Sequence, residues 1–274
     1  MGTLRDTSDL MKTITSRDNS LLRQARAVRD GKEDDLIFVE GMRLAEEALR
    51  SGLTIASVIV SDELARKDKA AKLLEQLNAA GEKFAVVSEK LLESISFTKT
   101  PQGIVVLAAR PESGKQTLAE TMNDPALVVV MHRINNPVNV GAILRTAEAA
   151  GATGAIATHE TSDPFSPKSL RGAMGSAFRL PIWDGPTYEE AIAWCKERGL
   201  LTVSADLQAE ATHDQVDWKQ PAALILGPES TGLSQEEIAV ADQAVQIPMK
   251  GEAESLNVAV AAGVLLYEAA RQRE

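Results

Sequence analysis

Three separate stretches of the chain gather residue types that can do chemistry. HRINNPVNVGAILRTAEAAG carries Asn139 and Arg145, GPESTGLS sets Glu229 between Gly227 and Gly232, and PMKGEAESLNVAVAAG carries Ser255 and Asn257. Together they offer amide, guanidinium, carboxylate and hydroxyl groups, a set that binds anions and hydroxyls. The glycines of the second stretch would let backbone N–H and C=O groups approach a flat ligand. It is not a phosphate loop, because GxxxxGK[ST] is absent. Each stretch also has a plain structural reading. Asn139 can cap the helix that follows it, Arg145 can pair with Glu148 on the helix surface, and Glu229 can be a solvated residue of a turn. Ser255 and Asn257 can be no more than caps of an apolar helix whose entry is shaped by Pro248 and Gly251.

What gives these stretches weight is the elements before them. Apolar runs at 126–131, 155–157, 201–205, 222–226 and 244–247 read as strands covered on both faces, as in a parallel sheet. Helices read at 140–150, 188–198 and 236–240, the last with a Ser234/Glu237 capping box, and a long one at 256–272. In open α/β sheets ligands sit beyond the carboxyl ends of strands, and all three stretches follow a strand. The first part of the chain alternates as well. Helices read at 19–29, 41–50, 64–80 and 89–95, and strands at 36–39, 55–60, 84–87 and 103–107. The division is therefore a small α/β domain over 1–110, a Pro- and Gly-bearing linker over 111–123, and a parallel-sheet α/β domain over 124–274.

Composition narrows the class. Apolar residues make up 44% of the 274 and aromatics only 4%, so the core is built from Ala, Val, Leu and Ile. One cysteine, Cys195, rules out an internal disulfide framework and fits a reducing compartment. The three histidines lack metal-ligand spacing, so no metal is expected. No apolar run approaches the roughly 18 residues of a membrane span. The N-terminal MGTLRDTSDLMK lacks the apolar stretch of a signal peptide, which makes the cytoplasm the expected compartment. The net charge of −10 is unusual for a nucleic-acid partner. Phosphate binding needs only local positive potential, however. Residues 12–32 carry six basic residues, and residues 168–179 carry Lys168, Arg171 and Arg179 with no acid.

Taken in order, Asn139-x-Gly141-x₃-Arg145, Gly227-x-Glu229-x₂-Gly232-Leu233 and Ile247-Pro248-Met249-x₅-Ser255-Leu256-Asn257-Val258 resemble the three motifs of the SpoU/TrmH family of RNA ribose methyltransferases, over residues 126–273. ITSRDNSLLRQAR, FVEGMRLAEEAL and TPQGIVVLA look like the RNA-binding domain that precedes the catalytic domain in many members, which points to ribosomal RNA ahead of tRNA. The resemblance implies a deep trefoil knot at the C-terminal end of the sheet, S-adenosylmethionine as cofactor, and a homodimer. It implies cofactor contacts at Gly227, Ile247 and Leu256, with Ser204 a further candidate. Arg145, Asn139, Glu229, Ser255 and Asn257 are the implied catalytic set. Arg145 suits an electrostatic stabiliser and phosphate clamp, since a guanidinium stays protonated. Asn139 would orient it or the ribose, and Glu229 would pair with Arg145 or hold the hydroxyl. Lys168, Arg171 and Arg179 would hold RNA phosphates. Ala259 and Ala253 depart from the Ser and Val common in the family. Three rivals stand against this reading. A dinucleotide enzyme lacks its GxGxxG here. An inactive RNA-binding module of the same fold would have lost part of the set, and a tRNA-directed enzyme would keep the chemistry and change the substrate.

Overall fold

The computed structural model describes residues 12–122 and 124–274. The stretch 1–11, read for a targeting segment, and Asn123, the last residue of the predicted linker, lie outside the described residues. The chain divides into two compact units. One takes in the residues up to Pro111 together with Phe165–Pro167, and the other Glu112–Pro164 and Lys168–Glu274.

The first unit runs β1 (Lys12–Ile14), α1 (Ser20–Arg29), β2 (Leu36–Glu40), α2 (Met42–Arg50), β3 (Ile55–Ser61), α3 (Asp62–Ala65), α4 (Asp68–Ala80), β4 (Lys83–Val87), α5 (Glu89–Ile95) and β5 (Ile104–Ala109). Its sheet has the order β1-β4-β3-β5-β2, with β5 antiparallel to both neighbours and the other pairs parallel. α1 and α5 press Leu22, Ala25, Leu92 and Ile95 onto Phe38, Ile59, Val105 and Leu107. α2 and α4 pack together and against β2, β3 and β5. The single helix expected over 64–80 is two. The Ser61 hydroxyl accepts from Leu64 N–H and starts α3 early. Residues 66–69 are then all exposed, with no apolar group to hold a continuous turn against the sheet.

The second unit runs α6 (Lys115–Thr121), β6 (Leu127–Met131), α7 (Pro137–Ala149), β7 (Gly154–Ala157), α8 (Pro167–Ala173), α9 (Ser176–Arg179), β8 (Ile182–Asp184), α10 (Tyr188–Glu197), β9 (Leu201–Ala205), β10 (Ala211–Thr212), β11 (Ala222–Leu226), α11 (Gln235–Ala239), β12 (Gln243–Gln246) and α12 (Val258–Arg273). Its seven strands, in the order β10-β12-β9-β11-β6-β7-β8, are all parallel. β6 and β11 are buried along their whole length, as their apolar sequences require. One face is covered by α10, whose Tyr188, Ile192, Trp194 and Cys195 meet Val128, Val130 and Ile225. α7 and α12 pack on each other, α7 against β7 and α12 against β11. The stretch expected as linker holds α6, whose single buried apolar residue, Leu118, was too weak a periodic signal to read. That leucine fits because Gly154 has no Cβ; one added there would lie 2.1 Å from Leu118 Cδ1. The edge strands β1, β8 and β10 were likewise too short to carry a pattern.

α7 and α8 touch backbone to backbone. A Cβ on Gly141 would lie 2.2 Å from the Ser169 carbonyl oxygen and 2.8 Å from Gly172 Cα. This contact fixes the helix bearing Lys168 and Arg171 against the helix bearing Asn139 and Arg145. Gly141→Ala should therefore cost about 1–3 kcal/mol of stability despite the better helix propensity of alanine. Urea unfolding would read this as a lower midpoint, and an unchanged midpoint would show that the crossing relaxes freely.

Candidate active site

A wholly parallel sheet puts every carboxyl end on one edge, so the loops after β6, β9, β11 and β12 emerge side by side. Register makes this concrete: Leu226 pairs with Met131, Ile225 with Ser204, and Val245 with Ala205. From β6 the chain passes through 132–136 into α7. The helix begins at Pro137, with Asn136 as its cap, its side chain accepting from Val138 N–H. Asn139 is therefore not the cap that the sequence allowed. Pro137 is favoured in the first helical position, which moves the start upstream and leaves the Asn139 side chain unspent.

Asn139 is only 8% exposed, so both ends of its amide need partners. Its Nδ2 donates to Glu229 Oε1 at 3.0 Å, and its Oδ1 accepts from Asn257 Nδ2 at 3.2 Å. Glu229 also accepts from the backbone N–H groups of Asn135 and Asn136, each at 3.3 Å. Asn257 caps α12, its Oδ1 accepting from Ala259 N–H at 3.0 Å and Val260 N–H at 3.4 Å. A residue from each of the three motif stretches thus joins one chain of hydrogen bonds. Burial works against ionisation of Glu229. The Asn139 amide, with the backbone N–H groups of Glu229, Asn135 and Asn136, outweighs it and holds the carboxyl below its ordinary value.

The loop carrying Glu229 is closed tightly. Gly232 N–H donates to the Pro228 carbonyl at 2.9 Å, and Gly232 takes φ +65°. A Cβ on Gly227 would meet Leu233 N and Cγ, both at 2.8 Å. Ile247 and Leu256, on either side of the irregular segment after β12, are half-buried, and Ser255 between them is exposed. Ser204 is fully buried, and its hydroxyl donates to the Gln243 carbonyl at 3.2 Å, so its side chain serves the β9–β12 pairing.

Arg145 does not join this chain. Six residues beyond Asn139, it stands roughly 120° apart from it around α7 and about 9 Å along it. It is exposed and has no partner among the described residues. Neither pairing foreseen for it forms: Glu229 is taken by Asn139, and Glu148 by Arg179, whose Nη2 donates to Glu148 Oε2 at 2.9 Å. Arg179 is correspondingly engaged, while Lys168 and Arg171 on α8 are exposed.

Sequence reasoning missed a second tie beside the first. Glu237 completes the expected capping box, its Oε2 accepting from Ser234 N–H at 2.7 Å. Its Oε1 also accepts from Arg133 Nη2 at 2.7 Å and from His132 Nε2 at 3.0 Å. On the other side of the ring, His132 Nδ1 lies in hydrogen-bond contact with the Thr158 hydroxyl at 2.9 Å. Burial lowers the His132 pKa against the pull of Glu237. The loop 227–237 is thereby fastened at both ends to residues 132–139. The capping-box pattern was the available signal, but it explained Glu237 locally and hid its long-range role.

Because the Glu229 pKa is depressed in the folded chain, its stabilisation is complete above the ordinary carboxylate value and is lost as pH falls through the depressed one. Glu229→Gln should thus be less stable than the parent at pH 7, the gap closing as the pH is lowered through that range. Denaturant midpoints of both proteins across pH would test this. A gap independent of pH would mean that shape, and not charge, is what the site uses.

Residues 126–267 match the SpoU rRNA Methylase family, and residues 19–106 match the MRM3-like substrate binding domain. The 23S rRNA (guanosine(2553)-2'-O)-methyltransferase RlmP of Bacillus subtilis is 30% identical over 94% of this chain and 98% of its own. The 23S rRNA (guanosine-2'-O-)-methyltransferase RlmB of Bordetella pertussis is 34% identical over 77% of this chain and 88% of its own. The crystal structure of an AdoMet-bound rRNA methyltransferase from Sinorhizobium meliloti superposes with a TM-score of 0.82 at 32% identity, covering 96% of this chain and 98% of that one. With its three motif loops joined at the carboxyl edge of a parallel sheet and these likenesses along nearly its whole length, the chain belongs to the SpoU rRNA methylase family.

Proposed function

We propose that this protein transfers a methyl group from S-adenosylmethionine to a ribose 2′-hydroxyl of 23S-type ribosomal RNA. The observation that carries the reading is the hydrogen-bonded chain Glu229–Asn139–Asn257, which sets residues of all three family motifs at one sheet edge. The relatives named above, with their 23S rRNA 2'-O-methyltransferase titles, support the substrate.

The residues present fit the cofactor. A turn so tight that Gly227 admits no Cβ exposes backbone groups, and the half-buried Ile247 and Leu256 give apolar contact. Gly227, Ile247 and Leu256 would hold it, with the backbone around Ser204 beside them. When bound, S-adenosylmethionine supplies an electrophilic methyl group on a sulfonium. The chain must hold the ribose hydroxyl in line with that methyl group, which itself lowers the barrier by several kcal/mol, on the order of 7–11 at best. It must also stabilise oxygen as its proton leaves. Arg145, unpaired and permanently charged, suits the developing alkoxide and the adjoining phosphate, and is not a base. Glu229, kept ionised and immobile, offers a hydrogen-bond acceptor to the hydroxyl. Ser255 and Asn257 complete the polar floor, and Lys168 and Arg171 suit phosphates further along the RNA, with Arg179 held back by Glu148.

The same reading includes threading of the C-terminal segment as a trefoil knot. In its support, the chain passes from central β11 out to β12 and returns to pack α12 on α7 and β11. It also includes a homodimer formed through α7 and α12, where Val138, Val260 and Tyr267 are each about half exposed. We place the working compartment in the cytoplasm, with ribosomal RNA. Among the described residues no helix is long and apolar enough to cross a membrane.

Labelled S-adenosylmethionine, unmodified 23S rRNA and digestion to nucleosides would test the reaction. 2′-O-methylnucleosides should appear, and Arg145→Ala should lower kcat/KM about 100-fold or more, with Arg145→Lys restoring little. Label confined to tRNA, or no transfer with no cofactor binding, would overturn the reading. Val260→Asp should shift the sedimentation of the protein from dimer to monomer, and an unchanged value would remove the α7–α12 face as the interface.

A further inference from the structure

Two motifs of the first unit play no part in methyl transfer, and the structure brings them together. Glu40, in FVEG, ends β2 and is 8% exposed. Its carboxylate accepts from the backbone N–H groups of Phe97 at 2.9 Å and Thr98 at 3.1 Å, and from the Thr98 hydroxyl at 2.6 Å. The loop so gripped runs into TPQG. At its far end Gly103 takes φ +85°, and an added Cβ there would lie 2.8 Å from Leu64 Cβ and 2.9 Å from Ser61 Oγ. Gly41, next to Glu40, donates its N–H to the Ile104 carbonyl at 3.1 Å. Both ends of the loop are therefore fixed, and a buried carboxylate with three donors is a costly device to spend on a mere connection.

What the device displays is Phe97, 42% exposed, the only large exposed hydrophobic residue of this unit among the described residues. Lys99, two positions on, is exposed, and residues 97–103 contain no acid. Arg29, ion-paired with Asp30 at 2.8 Å, steadies the base of the loop, its Nη1 donating to the Ser96 carbonyl at 3.3 Å. An exposed aromatic ring on an anchored loop that also carries an exposed lysine matches an unpaired nucleotide, whose base has a π-face and whose phosphate is anionic. We propose that residues 97–102 form a single-stranded RNA contact in which the Phe97 ring stacks on an unpaired base of the substrate and Lys99 meets a neighbouring phosphate. This rests on the reading of ribosomal RNA as substrate.

The test uses the full chain and unmodified, in-vitro-transcribed 23S rRNA. Phe97→Ala and Phe97→Leu should each weaken RNA binding about tenfold or more, since stacking needs the ring and not only apolar volume. Phe97→Trp should keep the affinity, and its added emission should be quenched by RNA. Lys99→Ala should weaken binding less and flatten its salt dependence by about one unit of slope. Calorimetric binding of S-adenosylmethionine should be unchanged in all four. If the parent binds the RNA and Phe97→Ala binds it equally well, the contact is overturned and the substrate reading stands. If the parent itself binds no ribosomal RNA, the substrate reading fails and the contact with it. A change in oligomeric mass in Phe97→Ala with RNA binding intact would overturn the contact in favour of a protein partner for the ring.

Discussion

A buried amide with one donor end and one acceptor end sits at the centre of the catalytic unit. Asn139 cannot leave either end empty in a place only 8% exposed, and each end is filled from a different loop. The β11 loop supplies Glu229, and the start of α12 supplies Asn257. The β11 loop has no regular structure of its own to hold it, so the Asn139 side chain ties it to the cap of α12. Glu229 extends the constraint to the backbone of residues 135 and 136, and so to the first turn of α7. Positions that are 118 residues apart in sequence become one rigid floor through four hydrogen bonds.

This floor depends on two features of the scaffold. The first is the parallel sheet, whose order places β11 between β6 and β9 and so sets the three loops next to each other before any side chain acts. The second is the His132–Glu237–Arg133 cluster, which pins the far end of the β11 loop. A loop fastened at one point can pivot, whereas fastening at 229 and at 237 leaves the glycine turn between them a single shape. A site that must align an oxygen with a methyl group gains from such rigidity, because small misplacements cost large factors in rate.

Much of this was legible in the sequence. Strands β9 and β11 coincide with their expected bounds, β11 because Pro221 and Gly227 bracket a continuous apolar run and β9 because Gly199 and Asp206 bracket a short, mostly apolar one. The Ser234/Glu237 capping box and the glycine-ended helices also fall where expected. The α3–α4 break, α6, and the short edge strands were not legible, since each depends on one or two burial events with no periodicity behind them. In the site, residue identity was legible and pairing was not. Arg145 with Glu148 is the local choice at helical spacing. The partner that Glu148 takes, Arg179, comes from 31 residues away and is set by the α7–α9 packing. Asn139 as cap was likewise a local choice, overruled by Pro137. Glu237 had a complete local explanation, so nothing in the sequence asked for His132.

The acidic balance of the chain is the remaining tension with a polyanionic substrate. Net charge sums over the whole chain, but at physiological salt a charge is felt over only about 8 Å. What the RNA meets is therefore local. Lys168 and Arg171 stand exposed in a stretch free of acids, as does Lys99 on its loop. Three of the carboxylates near the proposed site are engaged. Glu229 is surrounded by three N–H donors, Glu237 is bound by Arg133, and Glu148 is bound by Arg179. Arg145, by contrast, has no acid partner among the described residues. In a chain with ten surplus negative charges, an exposed guanidinium without an acid beside it is what would suit the incoming phosphate or oxyanion of the proposed reaction.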